Sequence, residues 1–381
     1  MAIKNFTAYN PTRLHFGQGV TENIGETVKS YGQRVLLVYG KGSVKKYGYY
    51  AQVVTALQKQ ALEVIDFGGI QPNPLVEDVR RAIALGKEKE VEVVLALGGG
   101  SVIDSAKIIS IGLVNEADPW QFMLWQAQPQ KALPLVTVLT LAATGTEMNG
   151  AAVLQNLEEG KKVGFVHPLL FPKDSFLDPS FTVTVPKDYT AYGVVDLIAH
   201  ALEAFFGDGE PEVIDQITMA IIKNAMEQSP LLLHDLHNVD LRANIMLDAT
   251  LALNGLTNYG RTGGDWGVHA LGHELSLLYG TPHGATLSIV YPAWLRLQSE
   301  RLAGRIQKLG KGLFGTSDVE KTIEKIERFF RSIASPVCLP EAGISPDKKE
   351  EILRQMNKNQ DSGMVHPLTD DDRRRIVEWM V

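Results

Sequence analysis

The chain has 381 residues, of which 45% are hydrophobic and 21% charged, with a formal net charge of −7 and one cysteine, Cys338. That length supports two domains with cores of their own, and an acidic balance without a dense basic patch excludes a nucleic-acid partner. A lone cysteine excludes an intrachain disulfide and a cysteine-rich zinc site.

The opening M-A-I-K-N-F-T-A-Y-N-P lacks the apolar segment of a signal peptide, and no later apolar run is long enough to span a bilayer. The expected location is the cytoplasm, away from membranes. Residues 34–39 form a short apolar run ending at Gly40, as a buried parallel strand does. A helical pattern follows over 49–60, a strand over 61–67 and a helix over 76–89. The clearest strand, 92–97, runs into Gly98-Gly99-Gly100-Ser101 and then a helix over 102–112. A further strand, 135–139, ends in L-T-L-A-A-T-G-T-E. This alternation argues for a parallel sheet covered on both faces. After Pro186 the rhythm becomes helical, over 188–206, 211–227, 241–254, the stretch around His269, 301–309, 319–333 and 347–357. A last helix starts at Thr369, with Asp372 completing a capping pair. The expected plan is an α/β domain over 1–185 and an α-helical domain over 186–381, with a site in the cleft between them.

Strand, G-G-G-S, helix is a geometry for holding phosphate. Glycines let the backbone approach the anion, and free N–H groups at the helix start point at it. The stretch is neither G-x-G-x-x-G nor a Walker A loop, and a tight strand-to-helix turn also carries glycines for packing alone. Thr140, Thr144, Gly145 and Thr146 form a second such turn after another strand. Two turns at strand C-termini are where a dinucleotide lies in an open, Rossmann-like sheet. Gly40-Lys41-Gly42-Ser43 ends the first strand of this series, where an acid would bind the adenosine ribose and repel a 2′-phosphate. The absence of that acid, with Lys41, Lys45 and Lys46 nearby, favours NADP(H) over NAD(H). The alternative is that Lys45 and Lys46 only cap an exposed turn.

Three of the nine histidines, His269, His273 and His283, fall within residues 266–284. His269 and His273 are four apart and share a helix face; His283 follows a Gly-Thr-Pro turn that can return the chain toward that helix. Upstream, Asp196 and His200 make a second i, i+4 pair on an apolar helix, where a carboxylate is costly unless paired or metal-bound. Taken singly, each histidine reads first as a hydrogen-bonded core residue. Together they suit one borderline divalent ion, Fe(II) or Zn(II), and suit calcium or magnesium badly. Trp120, Phe122 and Trp266 are candidates to line an alkyl pocket or to pack the core.

At these residues the chain resembles the iron-containing (group III) alcohol dehydrogenase family, in its butanol dehydrogenase and broad-range aldehyde reductase branch. P-T-R-L-H-F-G-Q-G is similar to the family's entry strand, and G-G-G-S-V-I-D-S-A-K to its pyrophosphate turn and helix. L-T-L-A-A-T-G-T-E-M-N is similar to its second cofactor loop, and the H-x-x-x-H and P-H-G of 269–284 to its metal signature. The resemblance implies a dehydroquinate synthase-like two-domain architecture. It implies Asp196, His200, His269 and His283 as metal ligands, and His273 beside them, facing nicotinamide or substrate. It implies Gly98, Gly99, Gly100 and Ser101 on the pyrophosphate, Asp104 near the cofactor and the chemistry, and Thr140, Leu141 and Thr144 on the nicotinamide half. Gly40, Gly42, Ser43, Asn73 and Lys162 complete the expected cofactor contacts.

The implied activity is reversible hydride transfer between a primary alcohol or aldehyde and NAD(P)(H), by a homodimer. The metal would act as Lewis acid on the substrate oxygen. His273 would either relay the proton or hold a structural place. The alternatives are a metal-dependent sugar-phosphate lyase or cyclase of similar plan, and a non-catalytic dinucleotide-binding module.

Overall fold

The computed structural model describes residues 3–381 and separates into two units. One comprises residues 9–185 with 236–246; the other comprises the residues up to Ala8, 186–235 and 247–381.

The first unit is α/β. In chain order it holds β1 (Arg13–Phe16), α1 (Ile24–Lys29), β2 (Arg34–Gly40), α2 (Ser43–Lys46), α3 (Tyr49–Gln58), β3 (Glu63–Ile70) and α4 (Val76–Glu88). Then come β4 (Val93–Gly98), α5 (Gly100–Gly112), α6 (Pro119–Met123), β5 (Leu135–Leu139), β6 (Ala151–Asn156), β7 (Lys161–Val166) and β8 (Asp174–Leu177). Six strands form one sheet in the order β1-β8-β5-β4-β2-β3, with every pairing parallel. β4 is V-V-L-A-L-G and is buried along its whole length, the sequence that a central strand with helices on both faces requires. Alternate residues of β2 feed different cores: Leu36 and Val38 pack with α4 and α5, Val35 and Leu37 with α1 and α3.

The strand order creates one crevice. From β2 the chain crosses to β3 on one side; from β4 it crosses to β5 on the other. Ligands of open parallel sheets lie at such a reversal, outside the carboxyl ends of the two strands. Those ends are Gly40 and Gly98. The antiparallel hairpin of β6 and β7, unread in the sequence, adds Lys162 to this unit.

The second unit is helical: α7 (Lys187–Phe205), α8 (Glu212–His234), the end of α9 (Val239–Leu253), α10 (Gly267–Tyr279), α11 (His283–Gln298), α12 (Ala303–Phe314), α13 (Val319–Ser332), α14 (Lys349–Asn359) and α15 (Asp370–Trp379). The Thr369 hydroxyl accepts from Asp372 N at 3.1 Å, and the Asp372 carboxylate accepts from Thr369 N at 3.0 Å, the expected reciprocal cap. Two readings change. Helix α8 runs seven residues beyond 227, through Pro230, because Leu232 and Leu233 bury their side chains past the proline; tertiary packing there outweighs a proline penalty of about 3 kcal/mol. Helix α11 was not anticipated. It is buried on nearly every side and so lacks the amphipathic period that marks a surface helix. No helix among the described residues is long and apolar enough to cross a membrane.

Candidate active site

Helix α7 carries Asp196, His200 and Glu203 at successive turns of one face. Helix α10 carries His269 and His273, and His283 is the first residue of α11. The Gly-Thr-Pro turn therefore does what its spacing suggested: it sets a new helix start beside the end of α10. Asp196 Oδ1 lies 3.6 Å from His200 Nε2, 3.8 Å from His269 Nε2 and 3.6 Å from His283 Nε2. These separations are too long for hydrogen bonds. The three are close to the edges that meet at one corner of a tetrahedron of donors, where a centre about 2.1 Å from each corner implies edges of about 3.4 Å; Asp196, His200 and His269 also each offer a ligand atom within 4.8 Å of the others. Asp196 Oδ1 and His269 Nε2 are buried and make no hydrogen bond among the described residues. A buried carboxylate oxygen left facing three imidazole nitrogens fits a divalent cation, and the one-oxygen, three-nitrogen set fits Fe(II) or Zn(II).

The sequence reading missed Glu203. Its Oε1 lies 2.8 Å from His269 Nδ1, which turns His269 Nε2 toward Asp196. The same carboxylate accepts from Trp266 N at 2.6 Å and His269 N at 3.2 Å, holding the helix start and the left-handed Trp266 (φ 63°). The i, i+4, i+7 spacing of Asp196, His200 and Glu203 was the available signal. Burial drives the His200 pKa down to about 4, which keeps its imidazole neutral. Burial also opposes a charge on His269, but the Asp196 and Glu203 carboxylates outweigh it and push the pKa up to about 9. The negative charge that attracts a proton there would equally attract a metal cation. His273 is half-buried, one turn beyond His269, with its ring 5.4 Å from that of His283.

Asp265 is a second missed residue, and its signal is not local. Its buried Oδ1 accepts from Val365 N at 3.0 Å and His366 N at 2.6 Å, and Oδ2 accepts from Gly267 N at 3.3 Å. It thus ties the α14–α15 connection to the start of α10. Burial, reinforced by the nearby Glu203 charge, pushes its pKa up to about 6. Of the aromatic candidates, Trp266 lies beside the rings of His200 and His269, while Trp120 and Phe122 belong to the core under α6.

In the first unit, α5 begins at the glycine turn with no side-chain cap on its N-terminus. Its first backbone N–H groups are the donors an anion would take. Thr140 N donates to Gly98 O at 3.0 Å, drawing the second turn against the first. A Cβ at Gly100 would meet the Thr144 side chain at 2.7 Å, and one at Gly99 would meet Leu141 Cβ at 3.1 Å. The closeness of the two turns thus leaves no room for a Cβ at Gly100 unless Thr144 shifts, and only tight room for one at Gly99. Asp104, one turn into α5, accepts from Thr146 Oγ1 at 2.6 Å and Val153 N at 3.0 Å. Lys162, on β7, donates to Asn73 Oδ1 at 2.8 Å, with Asn73 itself left-handed (φ 56°).

The turn of Gly40, Gly42 and Ser43 carries no acid, and the neighbouring strand β3 carries one, Asp66, in register with Leu37 of β2. Asp66 accepts from the Tyr39 hydroxyl at 3.0 Å, the Tyr50 hydroxyl at 2.8 Å and Lys45 Nζ at 3.3 Å. Lys45 Nζ also lies over the rings of Tyr39 and Tyr50, 4.7 and 4.4 Å from their centroids. The carboxylate already receives three donors, so much of its charge is compensated.

A family model for iron-containing alcohol dehydrogenase matches residues 11–179, and the C-terminal model of the same family matches residues 190–376. The chain is 38% identical to the probable NADH-dependent butanol dehydrogenase 1 of Bacillus subtilis, over 99% of both chains. It is 35% identical to the NADPH-dependent aldehyde reductase YqhD of Escherichia coli, again over 99% of each. It superposes with a TM-score of 0.97 on the crystal structure of NADH-dependent butanol dehydrogenase A from Thermotoga maritima, covering 100% of this chain and 99% of that one at 38% identity.

Proposed function

The chain belongs to the iron-containing alcohol dehydrogenase family, and from that premise we propose that it moves hydride reversibly between a nicotinamide cofactor and a primary alcohol or its aldehyde, butanol and butanal being the model pair. The observation that carries the reading is the convergence of Asp196, His200, His269 and His283. Neither the lyase or cyclase reading nor the non-catalytic module is favoured by the family models and relatives.

In this reading Asp196, His200, His269 and His283 hold one Fe(II) or Zn(II) ion, which when bound supplies Lewis acidity toward the substrate oxygen. Glu203 keeps the His269 Nδ1 proton and so leaves Nε2 as the donor. His273 passes the hydroxyl proton of the substrate toward solvent, a role that suits a half-buried imidazole. Gly98, Gly99, Gly100 and Ser101 hold the pyrophosphate through backbone N–H groups. Thr140, Leu141, Thr144, Asp104, Asn73 and Lys162 orient the nicotinamide half, and Gly40, Gly42 and Ser43 take the adenosine ribose. The unit built on the parallel sheet is the dinucleotide-binding domain, and the helical unit is the metal-binding catalytic domain.

NADP(H) is the preferred cofactor in this reading. Gly40 offers no carboxylate to repel a 2′-phosphate, and Asp66 is engaged by two phenols and a lysine. The enzyme is proposed to be a cytoplasmic homodimer, which light scattering and cell fractionation test. The functional test follows absorbance at 340 nm with butanal and NADPH or NADH, before and after metal removal by chelation. Cofactor oxidation that disappears with the metal, returns with Fe(II) or Zn(II), and has a higher kcat/KM for NADPH is expected. No nicotinamide oxidation by metal-loaded protein would overturn the proposal, and a clear NADH preference would overturn its cofactor assignment.

A further inference from the structure

Lys107 lies one turn beyond Asp104 on α5 and is completely buried, at 0% exposure. An unpaired ammonium in such a place is strongly disfavoured, and an apolar side chain of similar volume would pack there at lower cost. This one is saturated with acceptors. Its Nζ donates to Thr146 Oγ1 at 2.7 Å, Asn149 O at 2.8 Å, Asn149 Oδ1 at 3.0 Å and Ala151 O at 2.6 Å. Thr146 then hands its own hydroxyl proton on to Asp104 Oδ1 at 2.6 Å, and Asp104 Oδ2 takes Val153 N at 3.0 Å.

Two residues a turn apart on α5 therefore grip the whole stretch from Thr146 to Val153. Other bonds reach the same stretch from outside α5: Asn10 Nδ2 donates to Met148 O at 2.8 Å, Ser175 Oγ to Glu147 O at 2.6 Å and His167 N to Gly150 O at 2.9 Å. The stretch leaves the sheet through Gly145 (φ 59°), turns once over Thr146–Met148 and reaches β6 only at Ala151. Just before it, Thr144 packs against Gly100 of the glycine turn. Burial pulls the Lys107 pKa down to about 8, and the Asp104 and Glu147 carboxylates oppose that pull. The cation is thus matched to the Asp104 carboxylate, with the Thr146 hydroxyl between them.

We infer that Lys107 is a positioning residue for the cofactor: through Thr146 it holds Asp104, and with it the segment that follows Thr144, in the arrangement that receives the nicotinamide half. It does this without touching the cofactor. The inference rests on the cofactor reading of this loop given above.

The test uses metal-loaded enzyme and compares wild type with Lys107→Met, Lys107→Arg, Thr146→Val and the Met/Val double variant. NADPH affinity is measured by fluorescence titration, alongside NADPH and butanal KM, kcat and metal content. Loss of a charge-assisted hydrogen bond predicts NADPH Kd and KM raised about tenfold or more in Lys107→Met and in Thr146→Val. Metal content and butanal KM stay at wild-type values. The double variant is no weaker than the weaker single variant, because both cut the same chain of hydrogen bonds. Lys107→Arg, which keeps the charge, recovers part of the affinity. A folded Lys107→Met with wild-type NADPH affinity overturns the inference, as does additivity of the two changes or an equal loss of metal. If Lys107→Met does not fold, Thr146→Val decides, and wild-type affinity there overturns the inference. Failure of the wild-type enzyme to bind either nicotinamide overturns the underlying cofactor reading instead.

Discussion

Replacing Glu203 with glutamine tests the metal centre without touching a ligand. The glutamate carboxylate receives three donors: His269 Nδ1 at 2.8 Å and His269 N at 3.2 Å on Oε1, and Trp266 N at 2.6 Å on Oε2. Glutamine has a single acceptor oxygen, so one side of that arrangement must confront an NH2 group. If the oxygen stays on His269, the Trp266 N–H is left buried without its acceptor, at a cost of about 1–3 kcal/mol. The remaining bond to His269 also loses its charge assistance, worth about 1 kcal/mol more. Partners of this kind typically change metal affinity by about 10- to 100-fold. Glu203→Gln should therefore bind Fe(II) or Zn(II) about 10- to 100-fold more weakly, with kcat per bound metal less affected. Competition with a chromophoric chelator gives the affinity, and elemental analysis gives the occupancy. Wild-type affinity in a folded Glu203→Gln would falsify the argument that this carboxylate aims His269.

Three further outcomes are expected. Asp196→Asn and His269→Ala should lose metal and turnover together, and full turnover in either removes that residue from the ligand set. Gly100→Ala places a methyl 2.7 Å from the Thr144 side chain and so must part the two cofactor turns; NADPH Kd should rise about tenfold or more with metal content unchanged, and an unchanged Kd contradicts the packing argument. Asp248 is buried with Asn224 as its hydrogen-bond partner at 2.8 Å, and burial pushes its pKa up to about 7. A carboxyl raised this way stabilises the fold below its unfolded pKa of about 4 and loses that contribution as pH rises to about 7. Asp248→Asn should then raise the thermal midpoint relative to wild type at pH 8 but not at pH 4, measured by calorimetry. A difference that does not vary with pH contradicts the assignment.

Much of the framework was legible because it is written in local patterns. β4 is apolar throughout and ends in glycine, which is what a doubly covered parallel strand needs at its carboxyl end. The spacing of Asp196 and His200, and of His269 and His273, puts each pair on one helix face whatever else the chain does. Helix α11 escaped the same logic: surrounded by protein on nearly all sides, it shows no polar face to give it a period. The order of the strands, and with it the crevice at Gly40 and Gly98, was likewise a product of the crossovers.

What the tertiary structure alone decided is which groups meet across long stretches of sequence. The partners of Asp265 Oδ1 lie about a hundred positions away, the carboxylate that meets the Tyr39 hydroxyl comes from a neighbouring strand, and Lys107 finds its acceptors some forty residues on. None of these has a spacing that could betray it. A helix or strand period records only which side of an element is buried, while the identity of the neighbour on that side depends on how the whole chain is routed. Asp196, His200 and Glu203 share a helical spacing that the sequence displays, whereas Asp265, Asp66 and Lys107 find their partners only through the routing of the chain.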